Sequence, residues 1–230
     1  MTKGTGPADF VVAVDFGATR IRAALMDRQG TLLSRFETPT LRQQGKHPVL
    51  QRLESAIEAV AREVGQKAIG SIGMTVPGLV NPWTGVMYES PVRPEWLNVP
   101  LKSLLEDRFQ VPVHIDNDAN LCALAEHRLG AARGVSDLVY LTISIGIGAG
   151  IIVDNALLRG SSGLAGEIGH MVIDPRGPRC GCGNTGCLEA MASGPAIARQ
   201  ARESIERGMV TAIMELVGHA VNSWRCVALG

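Results

Sequence analysis

The sequence has 230 residues, of which 46% are hydrophobic, and its 22 basic and 22 acidic side chains leave a formal net charge of zero. A neutral chain offers no bulk electrostatic attraction to nucleic acid or to an anionic membrane surface. No apolar run reaches the roughly 20 residues of a membrane span, and the N-terminus lacks the apolar core of a signal peptide. We therefore expect a cytoplasmic protein without membrane partners.

The N-terminal half of the sequence alternates between strand-like and helix-like patterns. Tight turns separate three β-rich runs, which predicts strands in hairpin order over residues 10–16, 21–26 and 31–37. Apolar residues recur at helical spacing from Val49 to Val64, and Gly65 is expected to close that helix. The next elements are expected in this order: a strand over 68–76, a proline-rich loop region over 77–100, a helix over 101–109 and a strand over 111–115.

The C-terminal half predicts a similar mixture of elements. They are a helix over 117–129, two strands joined by a glycine turn over 137–145 and 148–153, and two helices over 194–207 and 211–223. A strand–glycine turn–strand unit opens the chain, and a second such unit begins near Leu138. This similarity between the two halves predicts a duplicated α/β fold. We expect an N-terminal lobe over 1–117, a C-terminal lobe over 118–230 and a cleft between them.

Two glycine-rich loops are candidates for binding phosphate. In VDFGATRIRAAL, Gly17 allows a sharp turn, while Thr19 and Arg20 offer a hydroxyl, backbone N–H groups and a positive charge. In SIGIGAG, Ser144–Gly150, alternating glycines allow the backbone to approach a ligand closely. No helix follows this second loop, so it is not a Rossmann fingerprint. The alternative for each loop is an ordinary hairpin turn.

The segment HIDNDANLCALAE carries Asn117 and Asp118 at the point where a predicted strand leads into a predicted helix. Side chains at such a junction commonly face a crevice. Asp118 can accept a proton from a substrate hydroxyl as a general base, and Asn117 can bind a neighbouring hydroxyl. The alternative is structural, because Asp and Asn favour helix starts and either Asp116 or Asn117 would then be the cap.

Three of the five cysteines lie within CGCGNTGC, and the run GEIGH precedes them. In a reducing compartment, clustered cysteines indicate metal binding or catalysis rather than disulfides. His170, Cys180, Cys182 and Cys187 match a closed Cys3His zinc site, and a metal with four protein ligands is expected to be structural. The alternative is three free cysteines in a loop. Cys122 is expected to be a small buried residue within a helix.

Two glutamates flank the predicted metal loop. Clamping of that loop by zinc would bring Glu167 and Glu189 close to one another. Together with Asn117 and Asp118 they would form a wall of hydrogen-bonding groups suited to a polyol. The alternative is that both glutamates are ordinary surface residues.

In order and spacing, these motifs resemble the ROK family of sugar kinases and sugar-responsive repressors, from about Phe10 to Arg202. VDFGATRIRAAL is similar to the family's first phosphate loop, IGMTVPGLV to its sugar-side turn, and DNDAN to its catalytic segment. SIGIGAG is similar to its second phosphate loop, and GEIGH with CGCGNTGCLE is similar to its zinc signature.

The resemblance implies an α/β fold of the actin/hexokinase-like (ribonuclease H-like) class, in which two lobes close on ATP and a sugar. It implies that Asp118 deprotonates the sugar hydroxyl that attacks the γ-phosphate, and that Asp15 holds Mg²⁺ through water. The residues implied to bind the sugar are Asn117, Glu167, His170, Glu189 and Gly78. Those implied to bind the nucleotide are Asp15, Gly17, Thr19, Arg20, Gly146, Gly148 and Gly150.

Two features depart from the family's pattern. Ile145 stands where the second phosphate loop usually has a threonine whose hydroxyl helps to hold phosphates, and Ala18 replaces a glycine of the first loop. The chain after Glu189 is also shorter than the family's usual C-terminal part. We therefore expect an incomplete second lobe, with uncovered apolar surface that a homodimer would cover. The alternative is a smaller, rearranged lobe that covers this surface itself.

We expect an ATP-dependent kinase for a hexose or an N-acyl-hexosamine, with a structural zinc ion and with ATP and Mg²⁺ as co-substrate. The alternative is a non-catalytic sugar-binding or sensor protein of the same family with a degraded nucleotide site. Direct DNA binding is not expected, because little chain precedes the first predicted strand to form a helix-turn-helix segment, and because the net charge is zero.

Overall fold

The computed structural model describes residues 9–89 and 96–212. They form two compact units. The first contains the described chain up to Leu121 together with Arg159–Leu164, and the second contains Cys122–Leu158 and the described chain from Ala165 onward. The lobes predicted over 1–117 and 118–230 stay a prediction; the compact units differ from them in placing residues 118–121 and 159–164 with the N-terminal part.

The first unit is built on a five-stranded sheet. Its strands are β1 (Phe10–Phe16), β2 (Arg20–Asp27), β3 (Leu32–Pro39), β4 (Ile69–Val76) and β8 (Val113–Asn117). They are arranged in the order β3-β2-β1-β4-β8. β1, β2 and β3 pair antiparallel, which confirms the predicted hairpin order, whereas β1, β4 and β8 run parallel. The carboxyl ends of the three parallel strands therefore lie side by side at one edge.

The core of the first unit lies on one face of this sheet. Along β1, Val12, Val14 and Phe16 are buried at every second position, as expected when successive strand side chains point to opposite faces. The helices of the unit are α1 (Lys46–Ala61) and α2 (Leu101–Phe109). Residues at helical spacing form the buried stripe of α1: Val49, Leu53, Ala56, Ile57 and Val60.

The region over 77–100 was predicted as a loop, and this was wrong for part of it. It contains three short strands that form a separate antiparallel sheet: β5 (Leu79–Val80), β6 (Val86–Glu89) and β7 (Val99–Pro100). Asn81 shapes the turn after β5, because its side-chain oxygen accepts hydrogen bonds from the N–H groups of Trp83 and Thr84. Strands of two residues carry too little pattern to be recognised in sequence. Residues 90–95 lie outside the described residues.

The second unit contains a three-stranded antiparallel sheet. Its elements are most of α3 (Asp118–Arg128), the strands β9 (Leu138–Ile143), β10 (Ile147–Val153) and β11 (Ala156–Leu157), and the helices α4 (Leu188–Ala192) and α5 (Gly194–Glu206). The strand order is β11-β10-β9. The predicted strand–glycine turn–strand unit and α5 are confirmed. The helix predicted over 211–223 lies almost entirely outside the described residues. No helix in the described ranges is both long and apolar enough for a membrane span.

Candidate functional site

The junction between β8 and α3 carries the predicted catalytic residues. Asn117 ends β8 and Asp118 opens α3. The side-chain oxygen of Asn117 accepts a hydrogen bond from the N–H of Asn120 over 2.8 Å, which is the geometry of a helix N-cap. Asn117 is therefore the N-cap of α3, which was the structural alternative predicted for this residue. Asp118 is exposed, and its Oδ1 accepts only the adjacent N–H of Ala119 among its described bonds, so its carboxylate is accessible to a ligand.

A row of polar side chains crosses the carboxyl ends of the parallel strands. Asp15 on β1 is in register with Thr75 on β4, and Thr75 is in register with Asp116 on β8. The Thr75 hydroxyl donates to Asp15 Oδ1 over 3.1 Å, and Arg22 donates to Asp15 Oδ2 over 2.9 Å. Ligands of open α/β sheets bind outside this end of the strands. No role was predicted for Thr75, and Asp116 was predicted only as a candidate helix cap. No local sequence pattern shows which residues of neighbouring strands lie side by side.

The first glycine loop is a tight turn. The N–H of Gly17 donates to the carbonyl of Arg20 over 2.9 Å, and a Cβ at Gly17 would lie 2.9 Å from that same oxygen. Thr19 and Arg20 are exposed, and the guanidinium of Arg20 pairs with Glu37 on β3. Arg22 also pairs with Glu37, and this hydrogen bond holds the pKa of Glu37 below its usual value. A phosphate at this turn would therefore compete with Glu37 for Arg20.

A cavity of about 890 Å³ opens on the face of the first unit's sheet that lies opposite α1. Small side chains on its floor, Ala13, Ala24 and Gly73, leave room above the strands, and Asp15 and Arg22 line it at the polar end. The volume is in the range of sites for small molecules and cofactors. Among the predicted nucleotide residues of the first loop, Asp15 lines the cavity, whereas Gly17, Thr19 and Arg20 are not among its lining residues.

The second glycine loop is held by the chain that follows the cysteines. Glu189 Oε2 accepts the N–H of Ile147 over 2.9 Å, and a Cβ at Gly146 would overlap that carboxylate. Gly194 donates its N–H to the carbonyl of Ser144 over 2.9 Å. The other predicted nucleotide residues here, Gly148 and Gly150, lie within β10. The loop tip is open, since the side chain at position 145 is 73% exposed.

The four predicted metal ligands come together in the second unit. The ligand atoms of His170, Cys180, Cys182 and Cys187 all lie within 4.8 Å of one another. His170 Nδ1 lies 3.7 Å from Cys180 Sγ, and Cys182 Sγ lies 3.7 Å from Cys187 Sγ. Tetrahedral zinc with Zn–S bonds of about 2.3 Å has edges of about 3.8 Å between sulfur atoms. The donor set and its spacing therefore fit a Cys3His zinc site.

Backbone turns bring the cysteines together. Cys180 donates its N–H to Asn184 O over 2.8 Å, and the φ of 75° at Gly186 places its Cα against Asp174 O, where a Cβ would overlap. The N–H of Asn184 lowers the pKa of the Cys182 thiol to about 7, whereas burial raises the pKa of Cys187 to about 12.

The remaining cysteine of the described chain is not where the sequence suggested. Cys122 was expected to be buried within a helix, and that expectation was wrong: it lies on α3 but is exposed. Helix position alone does not say which face a side chain occupies when neighbouring positions are also apolar. Cys122 is thus not one of the four clustered metal ligands.

The predicted sugar ligands are distributed over both units. Gly78, with a φ of 86°, precedes β5 in the first unit, where Asn117 and Asp118 also lie. In the second unit, Glu167 is half-buried and its carbonyl accepts the N–H of His170 over 3.1 Å. His170 presents Nδ1 to the cysteines, which leaves Nε2 on the other side of its ring.

Comparison with known proteins supports the resemblance. The ROK family model matches residues 11–229. A glucokinase of Thermotoga maritima is 37% identical over 208 residues, covering 90% of this chain and 65% of the relative. A xylose repressor of Caldicellulosiruptor bescii is 37% identical over 201 residues, covering 86% of this chain and 50% of the relative. The chain therefore spans between half and two thirds of these relatives' length.

A solved structure agrees with the sequence comparison. The chain superimposes on a ROK family glucokinase from Streptomyces griseus, in complex with glucose and AMPPNP, with a TM-score of 0.77 and 32% identity. The match covers 95% of this chain and 69% of that one. The fold is thus mixed α/β and actin/hexokinase-like, as the resemblance implied. The family match over nearly the whole sequence, the shared fold and the Cys–His cluster agree, and the chain belongs to the ROK family.

Proposed function

We propose that this protein is an ATP-dependent kinase that phosphorylates a hydroxyl of a hexose or an N-acyl-hexosamine. The observation that carries the proposal is the placement of Asp118, which is exposed on the first turn of a helix directly after a parallel strand. A carboxylate there can accept the proton of a sugar hydroxyl while the hydroxyl oxygen attacks the γ-phosphorus and ADP leaves. The similarity to the Thermotoga and Streptomyces glucokinases supports this proposal.

The sugar is proposed to be bound by Asn117, Glu167, His170, Glu189 and the turn at Gly78. Zinc would be structural: the cysteines and His170 Nδ1 would fill its four positions and leave no place for water. Its role would be to fix the ring of His170, so that Nε2 faces the sugar.

The nucleotide is proposed to contact both glycine loops. Gly17, Thr19 and Arg20 would contribute from the first loop, and Gly146, Gly148 and Gly150 from the second. Asp15 would hold Mg²⁺ through water, which would supply charge neutralisation for phosphoryl transfer. Both carboxylate oxygens of Asp15 already accept one hydrogen bond. Each oxygen can accept a second one from a water molecule bound to Mg²⁺.

A second candidate function is a sugar-binding sensor that does not transfer phosphate. It is favoured by the exposed apolar side chain of Ile145 at the tip of the second glycine loop and by the similarity to a xylose repressor. Under this proposal the residues proposed to bind the sugar still do so, whereas the two glycine loops bind no nucleotide and have only a structural role.

Binding and turnover measured on the same two proteins separate the candidates. Zinc-loaded wild-type protein and Asp118→Asn are titrated by calorimetry with a panel of hexoses and N-acyl-hexosamines, and ADP release with each sugar is followed in a coupled assay. For a kinase, both proteins bind the same sugar and only wild type releases ADP. Equal sugar binding with no ADP release by wild type would establish the sensor, and no sugar binding would contradict both candidates.

A further inference from the structure

Residues Arg159–Leu164, which we call the return segment, follow β11 but pack in the first unit. Its first residue reaches the β8–α3 junction, because Arg159 Nε donates to Asp116 Oδ2 over 2.8 Å. Near its other end, a Cβ at Gly163 would lie 2.6 Å from Cδ of Pro82, so the chain is closely packed there. The segment therefore contacts the rest of the first unit at two places, and one of them is Asp116, which precedes the proposed catalytic residue Asp118 on the same strand–helix junction.

The carboxylate of Asp116 organises this junction. Asp116 is only 4% exposed. Its Oδ1 accepts the N–H of Asn117 over 2.8 Å and the side-chain NH₂ of Asn120 over 2.9 Å. Asn117 in turn caps α3 through the N–H of Asn120. The three residues thus form a closed ring of hydrogen bonds, and Asp118 lies within the stretch of backbone that this ring fixes.

The ring depends on a charged carboxylate, and Arg159 supplies the opposite charge. A buried carboxylate is costly unless it is both paired and hydrogen-bonded. Bonds that a carboxylate accepts are about twice as strong as neutral ones. Loss of the guanidinium would leave the buried carboxylate of Asp116 without its ion-pair partner. Water that entered in its place would compete for the carboxylate and weaken the bonds to Asn117 and Asn120.

We propose that Arg159 is a positioning residue for phosphoryl transfer. It acts through Asp116, whose ring sets the direction in which Asp118 presents its carboxylate, and it does not itself touch the substrate. This inference rests on the proposed kinase function, because it assigns Asp118 the part of general base. A misplacement of about 1 Å in a reacting group can lower the rate about 100-fold.

The test compares two changes at Arg159 with one at a matched surface arginine. Arg159→Met keeps the length of the side chain but removes its charge and donors, whereas Arg159→Lys keeps the charge. Arg108→Met is the control, because Arg108 forms exposed ion pairs with Glu54 and Glu58 in the same unit. We expect kcat to fall about 100-fold in Arg159→Met. The Lys variant should recover part of that loss, and the control should match wild type.

The kinetic constants and the unfolding midpoints of the variants distinguish a positioning role of Arg159 from a purely stabilising one. A positioning role lowers kcat at saturating ATP and sugar, in protein held well below its unfolding temperature, while KM for sugar stays within about twofold because the substrate contacts remain. A purely structural role would lower the unfolding midpoint and leave kcat of the folded fraction unchanged. That second result would overturn the proposal.

Backbone hydrogen exchange decides the question even if wild type transfers no phosphate. We expect the amides of Asn117 and Asn120 to exchange at least about tenfold faster in Arg159→Met than in wild type, while amides of β2 and β3 keep their rates. The Arg108→Met control should leave all of them unchanged. Unchanged protection at both asparagines would contradict the proposal. Inactive wild type with faster exchange in the variant would contradict the kinase function, and with it a role in phosphoryl transfer, but would support the ordering of the Asp116 ring by Arg159.

Discussion

The carboxylate of Glu189 accepts a hydrogen bond from the backbone N–H of Ile147 over 2.9 Å. Glu189 lies in the first turn of α4, close after Cys187, and Ile147 is the first residue of β10 after the tip of the second glycine loop. The carboxylate of Glu189 therefore connects the chain that follows the metal cluster to the second glycine loop. Glu189 was predicted only as a sugar ligand, and its bond to the loop gives it a structural role as well.

Replacing Glu189 should weaken nucleotide binding as well as sugar binding. In Glu189→Ala the N–H of Ile147 loses its acceptor, and Gly146 loses the group packed against it. A hydrogen bond to a charged group contributes about 1.5–3 kcal/mol, so we expect the Kd for an ATP analogue to rise at least about tenfold. Calorimetry measures it. Glu203→Ala is the control, because Glu203 forms exposed ion pairs on α5; equal nucleotide affinity in both variants would contradict this role of Glu189.

Removal of one cysteine of the cluster should release the metal. In Cys182→Ser we expect the zinc content to fall from about one per chain to near zero and the unfolding midpoint to fall by about 10 °C, because metal binding contributes directly to folding. Atomic absorption and calorimetric unfolding measure the two effects. Cys122→Ser removes an exposed thiol outside the cluster and should change neither. Full zinc content in the Cys182 variant would show that the cluster is not the metal site.

Gly186 is needed for the shape of the metal loop. Its φ is 75°, and a Cβ would overlap the carbonyl of Asp174, so Gly186→Ala should lower the free energy of unfolding by about 2–4 kcal/mol. At Gly181, in the same loop, a Cβ would have open space around it, with no contact within 4 Å. Gly181→Ala should therefore remain within about 0.5 kcal/mol of wild type. Urea unfolding compares them, and equal losses would show that the loop tolerates a side chain at both positions.

Ile145 tests whether the nucleotide site has lost a contact. Its side chain is 73% exposed at the tip of the second glycine loop. If phosphates bind there, Ile145→Thr adds a hydroxyl donor worth about 1 kcal/mol, so the Kd for ATP should fall about fivefold. Ile143→Thr makes the same exchange at an exposed position of β9 and should have no effect. Identical ATP affinity in wild type and the Ile145 variant would place the phosphates elsewhere.

The metal cluster is the part of the site that sequence could predict best. Its cysteines lie close together in the chain, and the chemistry of thiolate and imidazole ligands restricts the possible metals. The structure brings all four ligand atoms within 4.8 Å of one another. Amphipathic patterns likewise sufficed for α1, α2 and the first two strands, because each buries one regular face.

The junction around Asp116 could not be predicted from sequence in the same way. Asp116 and Arg159 are separated by 43 positions, and their pairing depends on the return segment packing in the first unit. The row of Asp15, Thr75 and Asp116 depends on the register of three strands that are distant in the chain. Hydrophobic periodicity shows which face of an element a residue occupies. It does not show which residues of neighbouring strands lie side by side.

Transfer of label from [γ-³²P]ATP to a sugar is the measurement that tests the central claim most directly. Zinc-loaded protein is incubated with Mg²⁺, labelled ATP and each of a panel of hexoses and N-acyl-hexosamines, with Asp118→Asn run in parallel. The account predicts a labelled sugar phosphate with wild type and a loss of at least about 1,000-fold in rate with Asp118→Asn. Label transfer at the same rate by both proteins, or none to any sugar by wild type, would contradict it.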